Sequence, residues 1–159
     1  MEKVVTLTVR KARVFDEVMK TTEYMGKKLV GEQDRGAYVR VAATDADGLM
    51  LERFWQEGCG LASQALRRYA VGECRLSGKG GVPDMARDYE ATLRLPGSFD
   101  AATAPDLERS LFSYIVTTML SKWCLLANRT DAQAYMELSN VSLQDINRKL
   151  FNRKRPERP

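Results

Sequence analysis

A chain of 159 residues with 44% apolar and 29% charged side chains is long enough to fold as one domain around its own core, and its balance excludes a disordered polymer. Residues 148–159 hold six of the 25 basic residues but only one of the 21 acidic ones. The net charge of +4 therefore belongs to the C-terminal end, while 19 basic against 20 acidic residues elsewhere argues against a broadly basic nucleic-acid-binding body. No histidine is present, which removes the usual neutral-pH proton shuttle and the commonest transition-metal ligand.

Val5, Leu7 and Val9 alternate with Thr6 and Thr8, the pattern of a short strand. From about Arg10 the period changes. Phe15, Val18, Met19, Thr22, Met25 and Leu29 fall at helical spacing, in a helix expected to end at Gly31. Residues 32–35 are turn-like, and Ala37 to Ala43 suits a short extended segment.

Thr44-Asp45-Ala46-Asp47 has the hydroxyl-to-carboxylate spacing of a capping box. It opens a helix expected to run to about Val71, with Leu51, Phe54, Trp55, Ala62, Ala65, Leu66 and Tyr69 on one face. Gly58 and Gly60 interrupt it, and their poor helix propensity is offset by close approach of a neighbouring helix or else marks a kink. Ser77 to Pro83 is a glycine-rich loop. Beyond it Tyr89, Ala91, Leu93 and Leu95 alternate with Glu90, Thr92 and Arg94 as a half-buried strand, and Glu73 to Ser77 is its expected hairpin partner.

Thr103-Ala104-Pro105-Asp106 combines a cap, an early proline and a first-turn carboxylate. The following helix carries a broad face of Leu107, Leu111, Tyr114, Ile115, Thr118 and Met119, widened by Leu120, Trp123 and Leu126. Asn128-Arg129 breaks the pattern, and Thr130 to Gln133 caps a last helix with a narrower stripe of Tyr135, Leu138, Val141, Ile146 and Leu150. So short a connection favours an antiparallel helical hairpin. After Phe151 the chain is basic and proline-containing and is expected to fray.

The elements make an α+β domain, mostly helical, with about four helices, a few short antiparallel strands and a C-terminal helical hairpin. Its expected bounds are residues 1–151, followed by a flexible basic tail over 152–159. The Leu111–Ala127 stretch is interrupted by Ser113, Thr117, Thr118, Ser121 and Lys122, too polar for a membrane span, and the N-terminus lacks a secretory apolar run. A cytoplasmic protein without membrane contact is expected, its three cysteines, Cys59, Cys74 and Cys124, reduced and structural.

Tests for chemistry come back negative. Neither Ser63 nor Ser113 lies in a G-x-S-x-G elbow, and Ser121 and Lys122 are helical neighbours that do not face one another. Asp45, Asp47, Glu52, Asp84 and Asp88 offer oxygen ligands without calcium-loop spacing, and capping accounts for Asp47. The loop at Gly78–Gly81 lacks the P-loop pattern. No catalytic, cofactor-binding or metal-ligating residue is assigned, and no cofactor is expected. Two features point to partners. Trp55, beside Phe54 and flanked by Arg53 and Glu57, is a candidate interface anchor. Arg153, Lys154, Arg155 and Arg158 are candidate contacts for an anionic partner, enough to neutralise about four phosphates without reading sequence.

Several segments also carry a resemblance. Tyr24-Met25-Gly26-Lys27-Lys28, Ala37-Tyr38, Thr44-Asp45-Ala46-Asp47, Leu51 to Glu57, Ser113-Tyr114-Ile115-Val116, Lys122-Trp123, Ala134-Tyr135, Arg148-Lys149-Leu150 and Arg153-Lys154-Arg155-Pro156 occur in this order. In them the chain resembles small uncharacterised proteins encoded in phage-like, prophage gene clusters of gut Bacteroidales, with departures at Gly58–Gly60 and in the glycine-rich loop. The resemblance implies a minor virion or assembly component of the neck, connector or tail-completion type. Its partners would be other phage structural proteins or further copies of itself, and it would be virion-associated after synthesis. It implies no catalytic residues. The alternative is a nucleic-acid-binding accessory or regulatory protein that makes weak contact through its basic tail.

Overall fold

The computed structural model describes residues 1–29, 41–72, 74–76 and 87–156. The expected turn at 32–35, most of the 37–43 segment, the helix end at Gly31 and the 77–83 loop lie outside the described residues.

Strand β1 (Glu2–Val9) pairs antiparallel with β3 (Tyr89–Pro96), in register from Glu2 opposite Pro96 to Val9 opposite Tyr89. The short strand β2 (Arg75–Leu76) lies on the other edge of β3, so the sheet order is β1-β3-β2 and the hairpin across the 77–83 segment is formed. Because strand side chains alternate, this register puts Leu7, Val9, Tyr89, Ala91, Leu93 and Leu95 on one buried face. On the other face the Thr6 and Thr92 hydroxyls meet at 3.3 Å.

That buried face packs beneath helices. In α1 (Lys11–Leu29) Val14, Val18, Thr22 and Met25 are buried, with Phe15 and Met19 packed beside them. Of the expected extended segment Ala37–Ala43 only Val41, Ala42 and Ala43 are described; they are buried in succession, and none of the three lies in a strand. Side chains meet their main-chain groups instead: Trp123 Nε1 donates to the Val41 carbonyl at 2.7 Å, and the Ala43 amide donates to Thr22 Oγ1 at 3.0 Å.

A 3-10 turn over Asp45–Asp47 leads into α2 (Gly48–Leu66). The reciprocal cap read from Thr44 and Asp47 is present, with the Thr44 amide donating to Asp47 Oδ2 at 2.8 Å and the Asp47 amide to the Thr44 carbonyl at 2.9 Å. The helix stops at Leu66 rather than near Val71. Beyond it the Val71 amide donates to the Thr92 carbonyl, the Arg94 amide donates to the Tyr69 carbonyl, and Ala70 bridges to Leu93. The free edge of β3 thus claims the backbone groups that a longer helix would have used.

Helix α3 (Ala104–Ala127) is the hub, contacting α1, α2, β1 and α4 (Arg129–Leu150). Thr103 stands at its N-cap position, as the sequence indicated, but its side chain makes no capping hydrogen bond. Asp100 caps a preceding 3-10 turn by accepting the Ala102 amide at 3.1 Å, while the Thr103 hydroxyl turns back to the Asp100 carbonyl. Asn128 alone separates α3 from α4, with its Nδ2 donating to Asp131 Oδ2 at 2.7 Å, and the two helices form the expected hairpin. The Thr118 and Ser139 hydroxyls join across it at 3.0 Å. The helical segment Ala101–Ala127 is long and apolar enough to cross a membrane by length and composition, but 61% of its most apolar window is buried inside this fold. Two stripe expectations fail: Leu126 faces outward, as do Leu138 (50% exposed) and Val141 (60% exposed) on α4.

The chain beyond α4 does not fray at once. Arg153 forms an antiparallel bridge with Phe99, the Lys154 amide donates to the Ser98 carbonyl at 2.9 Å, and the Phe151 and Tyr69 rings meet edge to face at 6.2 Å. Residues 152–154 of the expected flexible tail are therefore tied to the turn between β3 and α3, because that turn leaves backbone groups to pair.

Candidate functional site: an arginine-lined groove

Trp55 is not an interface anchor in this fold, since none of its surface is exposed. Phe15 packs edge to face against its ring at 6.2 Å, and its Nε1 finds no hydrogen-bond partner among the described residues. The adjacent Arg53 and Glu57 suggested an edge position, but they occupy the opposite side of the helix turn and pair with each other at 3.1 Å. In the tail, Arg153 spends its guanidinium on the Leu150 and Asn152 carbonyls at 2.9 and 3.0 Å. Lys154 and Arg155 are exposed, and Arg158 lies outside the described residues.

The nucleophiles are muted by burial. Loss of solvent pushes the Cys59 thiol and the Tyr89 phenol far up from their ordinary values and the Cys124 thiol up to about 11, each away from the reactive anion. Tyr89 Oη and Ser63 Oγ share a hydrogen bond of 3.0 Å, and the Cys74 thiol also contacts the phenol. Lys11 and Glu52 form a half-buried ion pair across α1 and α2, which ties the start of one helix to the other. No cluster of three or more metal-ligating side chains occurs among the described residues.

The concave surface lies elsewhere. A groove of about 590 Å³ runs between the end of β1, the start of α1 and the first turns of α3, and Arg10, Arg13 and Arg109 line it together with Thr8, Glu108 and Phe112. A second concavity of about 230 Å³ continues on the other side of Arg109, between α3 and α4, and is lined by Arg148, Asp145, Ser113, Ser142 and Val141. Arg109 belongs to both, so four arginines follow one another across the surface.

Their electrostatic situation is unfavourable as it stands. Arg10 and Arg13 flank the N-terminus of α1, the positive end of the helix dipole, and no acidic residue lies in its first turn. A cation there typically costs about 0.3–1 kcal/mol instead of contributing it. Asp88 offsets part of this by accepting the Lys11 amide at 3.0 Å. Among the described residues neither the Arg10 nor the Arg13 side chain has a hydrogen bond or ion pair, and both are exposed. Arg109 holds only a solvent-exposed pair with Asp106 at 3.1 Å.

The two carboxylates in the band are already occupied. Glu108 Oε1 accepts the Thr8 amide at 3.1 Å. Asp145 accepts the Ser110 hydroxyl at 2.7 Å and pairs with Lys149 at 2.9 Å, and these partners hold its carboxyl below the usual range. No motif announced this band. Its members come from the β1–α1 junction and from two helices about a hundred residues later, and the near-neutral charge of the body concealed them.

No family model matches the chain, and neither a curated protein nor a solved structure shows significant similarity to it.

Proposed function

We propose that this protein is a non-enzymatic assembly component, of the minor virion type encoded in phage-like gene clusters, that works through contacts with copies of itself or with other structural proteins. The observation that carries this reading is the outward display of Leu138 and Val141, one turn apart on α4, where helical periodicity called for core positions. Large aliphatic side chains left half or more in water on a well-packed helix are material for a protein contact. Burial of the Cys59 and Cys124 thiols, which raises both away from the reactive anion, is compatible with this reading.

Light scattering behind size-exclusion chromatography, over a concentration series, tests the self-assembly form. The expected result is a mass that rises above the monomer with concentration and returns to it in the double variant L138E/V141E. A strict monomer at the highest attainable concentration, unchanged in the variant, refutes self-assembly through this face. The alternative, attachment to nucleic acid through the C-terminal tail, has weaker support, because Arg153 is spent within the fold and Lys154 is anchored by its backbone.

A further inference from the structure

We propose that the band formed by Arg10, Arg13, Arg109 and Arg148 is a binding track for the phosphodiester backbone of a nucleic acid, distinct from the C-terminal tail. Four lines of observation converge on it. Shape comes first: two concavities of about 590 and 230 Å³ meet at Arg109, which makes an elongated open course rather than an enclosed pocket. A linear polyanion fits such a course, whereas a small metabolite favours enclosure.

Charge comes second. Arg10 and Arg13 have no partners among the described residues and sit at the helix end where a cation is disfavoured, so an incoming anion relieves a repulsion that the free protein carries. The carboxylates nearby offset the band only in part: Asp145 is balanced by Lys149, and Glu108 and the Asp106 paired with Arg109 leave two negative charges against four arginines. Residue type comes third. Guanidinium groups grip phosphate oxygens through paired N–H donors, which a lysine point charge does not.

The rest of the lining decides between polyanions. Ser113, Ser142 and Gln144 supply hydroxyl and amide groups between the arginines, as backbone and sugar contacts require. An acidic peptide held by apolar anchors would need enclosed pockets along its path, whereas the apolar lining here, Val9, Pro105 and Phe112 in one concavity and Val141 in the other, forms open walls. The chemistry therefore favours a sequence-independent backbone contact.

Fluorescence anisotropy of the full chain with a labelled DNA duplex of about 20 base pairs tests this. Neutralising about four phosphates gives a log–log salt slope of about −3.6, hence about a hundredfold loss of affinity between about 50 and 200 mM salt. The triple variant R10Q/R13Q/R109Q should bring the slope to about −0.9 and weaken binding at least about tenfold at low salt. R13Q alone should remove about 0.9 from the slope. The tail variant K154Q/R155Q should leave both quantities near wild type. All substituted side chains are exposed, so thermal melts should not fall.

The proposal is overturned by absence of binding at low salt, or by a triple variant that binds like wild type. It is equally overturned if the tail variant alone abolishes binding, or if polyglutamate binds at the arginines while DNA does not. The last outcome would assign the band to an acidic protein. Val141 borders both the track and the assembly face, but R10Q/R13Q/R109Q leaves Leu138 and Val141 intact, so self-association measured on that variant shows whether the two fail separately.

Discussion

Gly58 and Gly60 lie two residues apart in α2, and the structure separates their roles sharply enough to predict opposite constraints. A Cβ added at Gly60 would meet nothing within 4 Å, whereas one at Gly58 would lie 3.5 Å from Ile115 Cγ2, 3.7 Å from the Ile115 carbonyl and 3.9 Å from Met119 Cγ on α3. Replacing an interior helical glycine with alanine gains about 0.8–1 kcal/mol from propensity alone. G60A should therefore stabilise by about 1 kcal/mol, raising Tm by about 2–4 °C.

At Gly58 the same gain is joined by burial of a methyl group at ordinary van der Waals distance, worth up to about 0.8 kcal/mol, so G58A should stabilise by about 1–2 kcal/mol. G58L has to place further carbons where Ile115 and Met119 already sit, and overpacking should turn the gain into a loss of about 1–3 kcal/mol. Urea unfolding followed by far-UV circular dichroism, with thermal melts in parallel, gives the order G58A, G60A, wild type, G58L. A G58L protein as stable as wild type would show that α3 does not approach there. A destabilised G60A would show that residue 60 is not in a solvent-facing helical turn.

The two tryptophans form a second matched test. W55F and W123F remove the same ring portion from buried sites, but among the described residues only Trp123 donates a hydrogen bond, to the Val41 carbonyl. In denaturant titrations W123F should fall at least about 1 kcal/mol below W55F, and equal losses would argue that the Trp123 bond contributes nothing. Truncation after Phe151 removes the Arg153–Phe99 bridge and the bond from Lys154 to Ser98, so it should cost about 1–3 kcal/mol. A truncated chain with an unchanged unfolding midpoint would mean that those residues are not docked.

Much of the architecture was legible because it is written in local periodicity. The alternation at Val5 to Val9 and at Tyr89 to Leu95, and the apolar recurrence from Leu107 to Met119, each need only the chain's own geometry to choose strand or helix. The lone Asn128 between two long periodic segments likewise forced a hairpin. Errors collected where an element's end depends on a distant partner. The stop at Leu66 reflects the free edge of β3, and the docking of residues 152–154 reflects unpaired groups in the turn after β3. Thr103 holds the N-cap position of α3, but the 3-10 turn before it draws its hydroxyl back to the Asp100 carbonyl.

Periodicity names the residues that share a helix face but not how wide a sector the neighbours cover. Trp55 could be placed on the inward side of α2, yet only the packing of α1 through Phe15 makes it wholly buried. Leu138 and Val141 belong to a stripe of which α3 covers just one part, leaving them outside. The arginine band is the extreme case. Composition fixed the number of positive charges and their sum, but Arg10, Arg13, Arg109 and Arg148 become neighbours only when β1, α1, α3 and α4 close on one another. Electrostatic potential depends on distances in space, and a net charge counted along the chain contains none of them.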